Sequence, residues 1–534
     1  MKDMKKLLSI FIIAGTLLLS TGCEDYLDIN RNPNGPQEVT AYLYLGPMQQ
    51  EFVAGIQWDN RFTGYYTQNF AYYSTNYAYD LMGTPAWTSD NGGQMWRSVY
   101  WKMGWNLSDM IRLSQTEERW DLVGIGYAMR AWGWMLLTDH HGPIILKEAF
   151  QPGLYQFNYD NEDVVYAEVL SLCDSAIKYL NRTDGIVSAS FTGKGDQIFA
   201  GNRIRWKKLA WGVKALALNH LSNKTALYDP DKVIEAVDSS MTSNSDNALI
   251  GFLGSLTTDA NFYGPMRDNF RYALPSKFIV NMMDGTTLGT PDPRIRLMIP
   301  PTPNIVNGVA GAKYSGVTPS LGYTTYPTAD RPYNHYGIAA VGVGSNTTTG
   351  FYIFRNAGKF PLMTYPELQY IKAEAAFRKG DKVAALAAYN SGVSAAIDFA
   401  STNYAGATTW GTVTAITAGE KTAYLAGVVP VDANNLTMSA IMSQKYIHMY
   451  AWGCPEIWQD MRRYHYTDVY GTELTQVFNG YVQPPLAAEN NGKVIYRMRP
   501  RYNSEYVWNS ASLETIGGLA TDYHTKIHWL AIPE

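Results

Sequence analysis

A chain of 534 residues with 46% hydrophobic side chains can bury a large core, and its length suits about three or four ordinary domains or one long array of helical repeats. A formal charge of −4 with no cluster of Lys and Arg argues against nucleic-acid binding, because phosphate backbones require a concentrated basic surface. Charged residues make up only 17%, so the excess lies in 39 tyrosines and 15 tryptophans, whose flat bodies and polar tips suit a large aromatic core or a surface that grips flat, hydroxylated ligands.

Lys5 and Lys6 precede an apolar run from Leu7 to Leu19, followed by Thr21-Gly22-Cys23. The run is shorter than the roughly 20 residues that span a bilayer and reads as an export signal, residues 1–22. Cysteine directly after small residues resembles the bacterial lipoprotein pattern, which implies that Cys23 carries the lipid and that 23–40 is an anchor and tether. The segment EDYLDINRNPNGPQEVT is polar and rich in turn formers, as a tether should be. Cys173 and Cys454 do not suggest a disulfide framework, and Cys173 shares a helical face with Val169, Ile177 and Leu180, so a buried thiol is expected.

Helical patterns then recur along the remaining body, 41–534. Gln94 to Leu113 and Trp120 to Thr138 form one candidate pair, and Asp163 to Asn181 with Ile204 to Leu221 another. Asp229-Pro230 is a cap followed by a first-turn proline and opens a short helix. The clearest pattern runs from Phe360 to Ala400. Thr364 and Glu367 have capping-box spacing, Leu368, Ile371 and Ala375 fall on one face, and Gly380 supplies a left-handed stop. Asp381 caps a second helix, whose stripe is Leu386, Tyr389, Val393 and Ile397. The run AEAAFRKGDKVAALAAYNSGV resembles the tetratricopeptide repeat, and a lone helix pair cannot bury its own face, so three or four pairs are expected. Two stretches escape this pattern: Trp58 to Trp87, crowded with Tyr, Trp and Asn, and Thr286 to Gly350, rich in Gly, Thr, Pro and Asn. Loops this long are usually functional or disordered, and so many aromatics argue for function.

No His-Glu-x-x-His helix, phosphate-binding loop, Gly-x-Ser-x-Gly elbow or Cys-x-x-Cys occurs, so neither a catalytic motif nor a metal or cofactor is expected. His140 and His141 are adjacent, about 100° apart on a helix, which suits buried histidines better than shared metal ligands. Glu456, Asp460, Arg462 and Arg463 read as an interhelical salt-bridge set. A sugar presents an apolar C–H face and a hydroxyl edge, so its site calls for flat rings beside amides and carboxylates. Asn76, Tyr77, Tyr79, Asp80 and Trp87, with Tyr333, Asn334 and Tyr336, supply that mixture on expected loops, the alternative being that these rings pin the loops to the scaffold.

Several landmarks in order carry a family resemblance: Cys23 with acidic residues and YLDINRNPN; Met129-Arg130-Ala131-Trp132 through Thr138-Asp139-His140-His141-Gly142-Pro143; Gly201-Asn202-Arg203; and Pro291-Asp292-Pro293-Arg294-Ile295. Gln444-Lys445-Tyr446, Glu456 to Arg463 and Arg499-Pro500-Arg501-Tyr502 continue the series. Together they resemble the SusD/RagB family, nutrient-binding outer-membrane lipoproteins of Bacteroidetes. The resemblance implies a mainly α fold, a tetratricopeptide-like helical-pair scaffold carrying an irregular loop-rich ligand-binding subdomain. It also implies a non-catalytic surface protein that captures an oligosaccharide and acts as the lid of a SusC-like TonB-dependent transporter. A peptide-binding lid and a surface glycoside hydrolase on a helical scaffold are the alternatives.

Overall fold

Thr364 opens its helix as the sequence demands: its hydroxyl accepts from the Glu367 N–H at 3.4 Å, and Glu367 accepts from the Thr364 N–H at 3.0 Å. Gly380 closes that helix at φ 88°, and the Asp381 side chain accepts from the Ala384 N–H at 3.0 Å to start the next. The computed structural model describes Met4 and residues 39–534 other than 85–91, 307–308, 311–312, 342–343 and 345–346. The export segment, Cys23 and Trp87 lie outside the described residues.

In chain order the principal elements are α1 (Leu45–Tyr66), β1 (Phe70–Tyr72), α2 (Gly104–Thr116), α3 (Trp120–His141), α4 (Glu162–Asn181), α5 (Arg203–His220) and α6 (Pro230–Asp238). After them come β2 (Ala248–Ile250), β3 (Ala273–Pro275), β4 (Phe360–Met363), α7 (Tyr365–Lys379), α8 (Lys382–Tyr404), α9 (Ala418–Val428), α10 (Met438–His448) and α11 (Cys454–Arg463). Each helix from α2 to α8 packs on the one that follows it, and α10 packs on α7. This is the mainly α, tetratricopeptide-like scaffold that the helical pairs imply. Strands are short: β1 pairs antiparallel with β3, and β2 with β4. Among its described residues the stretch from Thr286 to Gly350 is largely irregular, as expected, with single helical turns at Ile295–Met298, Tyr323–Thr325 and Thr328–Asp330 and a two-residue ladder of Ile305–Val306 with Val309–Ala310.

Two local expectations are corrected. The helix from Gln94 is not uniform: Arg97–Met103 widens to π-helical geometry before α2 begins at Gly104, where a Cβ would lie 2.2 Å from the Phe150 ring. The region from Trp58 is not irregular at its start, because α1 runs to Tyr66. Its helical stripe is hidden because Gln49, Gln57, Asp59 and Asn60 are buried along with the apolar residues. Each is matched by a partner. Gln49 donates to Asp196 at 2.9 Å, Gln57 to Asn261 at 2.8 Å and Asn60 to the Tyr263 hydroxyl at 2.7 Å, while Asp59 accepts from the Met95 N–H at 2.9 Å.

The acidic and basic residues of α11 form the interhelical network that their spacing suggests. Arg463 pairs with Glu374 of α7 at 2.8 Å and with Asp460 at 2.5 Å; Lys445 of α10 reaches Glu456 at 2.8 Å and Asp460 at 2.7 Å. Arg462 instead donates to the carbonyls of Asp139 and Tyr496, at 2.6 and 2.8 Å. His140 and His141 are buried at the end of α3, each with Nδ1 on a backbone carbonyl, and burial pushes them down to about 4 and about 3. Cys173 and Cys454 are buried free thiols, raised above their ordinary value by burial.

Candidate functional site

The chain leaving α1 turns into β1, and the antiparallel pairing of Tyr72 with Ala273 brings two segments 200 residues apart into one surface. Ladder geometry then distributes the carbonyls of 271–273 to opposite edges. The Tyr272 carbonyl accepts from the Tyr73 N–H at 3.2 Å, whereas those of Arg271 and Ala273 face Asn334 Nδ2 at 2.9 Å and His335 Nδ1 at 3.1 Å. Residues 72–80 and 334–336 thus flank the same strand.

On the first flank lies a cleft of about 420 Å³ lined by Arg61, Tyr65, Tyr72, Tyr77, Asn269 and Tyr272 among others. Tyr72 and Tyr77 stack with centroids 3.8 Å apart and planes within 15°, and Tyr73 lies 4.8 Å from Tyr272, itself 43% exposed. Tyr65 meets Tyr77 edge-on at 5.1 Å. Burial, with Tyr72 and Asp80 nearby, raises the Tyr77 phenol above its usual range, so it stays a neutral hydroxyl. Arg61 lies with its guanidinium 3.9 Å above the Trp58 ring, and Asn269 donates to the Phe262 carbonyl at 3.0 Å. Flat rings beside a guanidinium and an amide can stack on a sugar face while bonding its hydroxyl edge.

The sequence-selected residues divide by burial. Tyr77 lines the cleft and Tyr79 lies largely behind it; Asn76 is exposed nearby at φ 55°. Asp80 is enclosed, accepting from the N–H groups of Tyr72 and Ser320, each at 3.0 Å, and thereby fastens the 72–80 loop to the 316–323 segment. Burial pushes its carboxyl up to about 7 despite those donors. Asn334 and Tyr336 are fully buried: Asn334 builds a turn by accepting from the Tyr336 N–H at 3.1 Å, and the Tyr336 hydroxyl accepts from the Phe270 N–H at 3.0 Å. Their place is structural support for the strand behind the cleft, since a ligand reaches neither without displacing its neighbours. Tyr333 is half-buried beside Trp410, with ring centroids 5.1 Å apart. Sequence inspection missed Arg61, Asn269 and Tyr272. Arg61 sits within a helix that showed no stripe, and Tyr272 belongs to no motif, so only the strand pairing reveals them.

Two acidic residues behind the cleft are not placed for acid–base work on a ligand. Asp59 and Asp80 are both buried and spend both carboxylate oxygens on backbone N–H groups. Among the described residues no group of three His, Cys, Asp or Glu side chains is arranged to hold a metal ion. A larger hollow of about 620 Å³ lies between α4, α5 and α6, but its Trp211 and Trp529 belong to separate elements and its Lys214 is paired with Asp174 at 2.5 Å.

Known proteins agree with this architecture. A crystal structure of a SusD/RagB family protein from Bacteroides thetaiotaomicron superposes with a TM-score of 0.70 at 20% identity, covering 93% of this chain and all of that one. A SusD homolog from Bacteroides fragilis gives 0.71 at 19% identity over 92% of this chain and all of its own. A chitin-binding SusD homolog from Flavobacterium johnsoniae gives 0.62 at 19% identity over 93% of this chain and 98% of its own. No curated protein is significantly similar. Residues 33–500 match the profile of the SusD-like family, described as starch-binding and associating with the outer membrane. With that match spanning most of its length and the helical scaffold shared with solved relatives, the chain belongs to the SusD-like family.

Proposed function

We propose that this protein is a surface lipoprotein, anchored through Cys23, that captures oligosaccharides in the tyrosine cleft and passes them to a SusC-like TonB-dependent transporter in the outer membrane. The observation that carries the reading is the stacked Tyr72–Tyr77 pair opening beside Arg61, Asn269 and Tyr272. Such a surface offers ring stacking and hydrogen bonding together, and Asp59 and Asp80 behind it are committed to the backbone, which supports capture with no bond made or broken. Membership of the SusD-like family supports both the carbohydrate ligand and the outer-membrane setting.

Affinity electrophoresis of the purified protein across a panel of polysaccharides and peptides tests this. Retardation by at least one glycan, without release of reducing ends, is the expected result. Binding confined to peptides would transfer the role to peptide capture, and release of reducing ends would make the protein a hydrolase. For the anchor, Cys23→Ala is expected to move the protein from the membrane to the soluble fraction; persistence in the membrane would count against lipidation.

A further inference from the structure

The tyrosine cleft is one end of a longer track. A second hollow, of about 520 Å³, is lined from α1 by Gly46, Gln50, Val53, Ala54 and Gln57. Arg61, Phe62 and Tyr65 line the cleft from the same helix. Of these, Gly46, Gln50, Val53, Gln57, Arg61 and Tyr65 recur at three- and four-residue intervals along one side of α1, so the two openings follow the same helix over a rise of roughly 28 Å at 1.5 Å per residue. Between them, Trp58 and Phe262 lie 5.7 Å apart, Arg61 stands 3.9 Å above Trp58 and 5.5 Å from Phe262, and Arg267 stands 5.8 Å from Phe262.

Neither arginine has an ion-pair partner among the described residues. Among the described residues Arg61 donates only to the Trp58 carbonyl at 3.4 Å and Arg267 only to the Thr257 carbonyl at 3.2 Å, which leaves most of each guanidinium fork unspent there. Asp259 lines the same track, but its Oδ1 is taken by the N–H groups of Ser255 and Leu256 at 2.7 and 2.8 Å. Asp59, next to Arg61 along the chain, is buried and bonded to the N–H groups of Gln94 and Met95. Two planar guanidinium forks with unspent N–H groups are thus held over aromatic rings at this junction, while the Asp59 and Asp259 carboxylates beside them are turned onto backbone N–H groups. A guanidinium in that posture offers parallel N–H groups to a carboxylate or sulfate.

Building on the carbohydrate reading above, we propose that the track along α1 takes an acidic oligosaccharide, with its rings against Tyr72, Tyr77 and Trp58 and its anionic groups on Arg61 and Arg267. Two matched pairs of probes test this by titration calorimetry at low and moderate salt: polygalacturonate against its carboxyl-reduced form, and dextran sulfate against dextran. The expected result is a preference of about tenfold or more for the acidic member of at least one pair, weakening with salt, as charge-assisted contacts require. Whichever pair shows it identifies carboxylate or sulfate as the group recognised. Arg61→Gln and Arg267→Gln are each expected to reduce that preference about threefold or more. Arg267 is exposed, so its variant decides the matter if Arg61→Gln folds poorly. Equal affinity within both pairs, or a preference that survives both substitutions, overturns the acidic ligand while leaving carbohydrate capture standing. Failure to bind any of the four probes or any glycan of the wider panel overturns both.

Discussion

Tyr72 and Tyr77 stack face to face, 3.8 Å between centroids, because the backbone N–H of Tyr72 is held by Asp80, which also holds the Ser320 N–H. The loop between the two rings is thereby folded back on itself and tied to a segment 240 residues further on. The pair is a prepared surface, so little side-chain entropy is left to lose when a ligand stacks on it.

Truncating one ring of the stack should therefore cost affinity directly. Tyr77→Ala is expected to weaken oligosaccharide binding about tenfold, or about 1.4 kcal/mol, with Tyr77→Phe much less affected if stacking outweighs the hydroxyl. Calorimetric titration of both variants with a glycan identified by the panel measures this. Unchanged affinity in a folded Tyr77→Ala protein would remove the ring from the site.

Asp80 makes a pH-dependent contribution of definite sign. Its folded-state value, about 7, lies above the ordinary carboxylate value of 3.8, so between these limits the folded protein binds the proton more tightly than the unfolded chain. Stability attributable to this group falls as pH rises from about 4 to about 7. Asp80→Asn, whose amide oxygen can still accept from the backbone, should gain on the parent across that interval by about 2 to 4 kcal/mol. Chemical denaturation of both proteins at pH 4.5 and 7.5, values set by roughly those limits, reads the difference. A constant gap at both values would show that Asp80 is not desolvated as described.

Glu374 is the hub of the buried charge network, accepting from Asn219 at 2.8 Å, from the Tyr464 hydroxyl at 2.7 Å and from Arg463. Burial opposes its charge, but Arg463 and Arg378 beside it hold the carboxyl well below its usual range. Glu374→Ala leaves Arg463 with Asp460 as its one remaining carboxylate partner among the described residues and should destabilise by about 3 to 5 kcal/mol. Urea unfolding monitored by tryptophan fluorescence measures it, and a loss below about 1 kcal/mol would mean that the network is solvated.

Gly380 tests the turn in isolation. A Cβ added there meets nothing within 4 Å, so only its φ of 88° opposes substitution. Gly380→Ala should cost about 1 kcal/mol, seen as a small drop in Tm without loss of helical circular dichroism.

What the chain determines locally was legible before any coordinates. The Thr364–Glu367 box, the Gly380 stop, the Asp381 and Asp229 caps and the periodic stripes of α4, α7 and α8 depend on residues within a few positions of one another, so spacing alone reveals them. The ordered landmarks likewise pointed to the family that the profile match shows. Helix α1 stayed hidden because no side-chain cap marks its start and because buried polar residues, which find their partners in distant segments, interrupt its apolar positions. The site was only half visible for the same reason. Loop residues rich in Tyr and Asn drew attention to 76–80 and 333–336, but which of them reach a ligand depends on burial. Pairing of Tyr72 with Ala273 placed Tyr272 and Arg61 around Tyr77, whereas Asn334 and Tyr336 were drawn inside to carry the strand. Composition and spacing specify which side chains are available; only the long-range register decides which of them face solvent together.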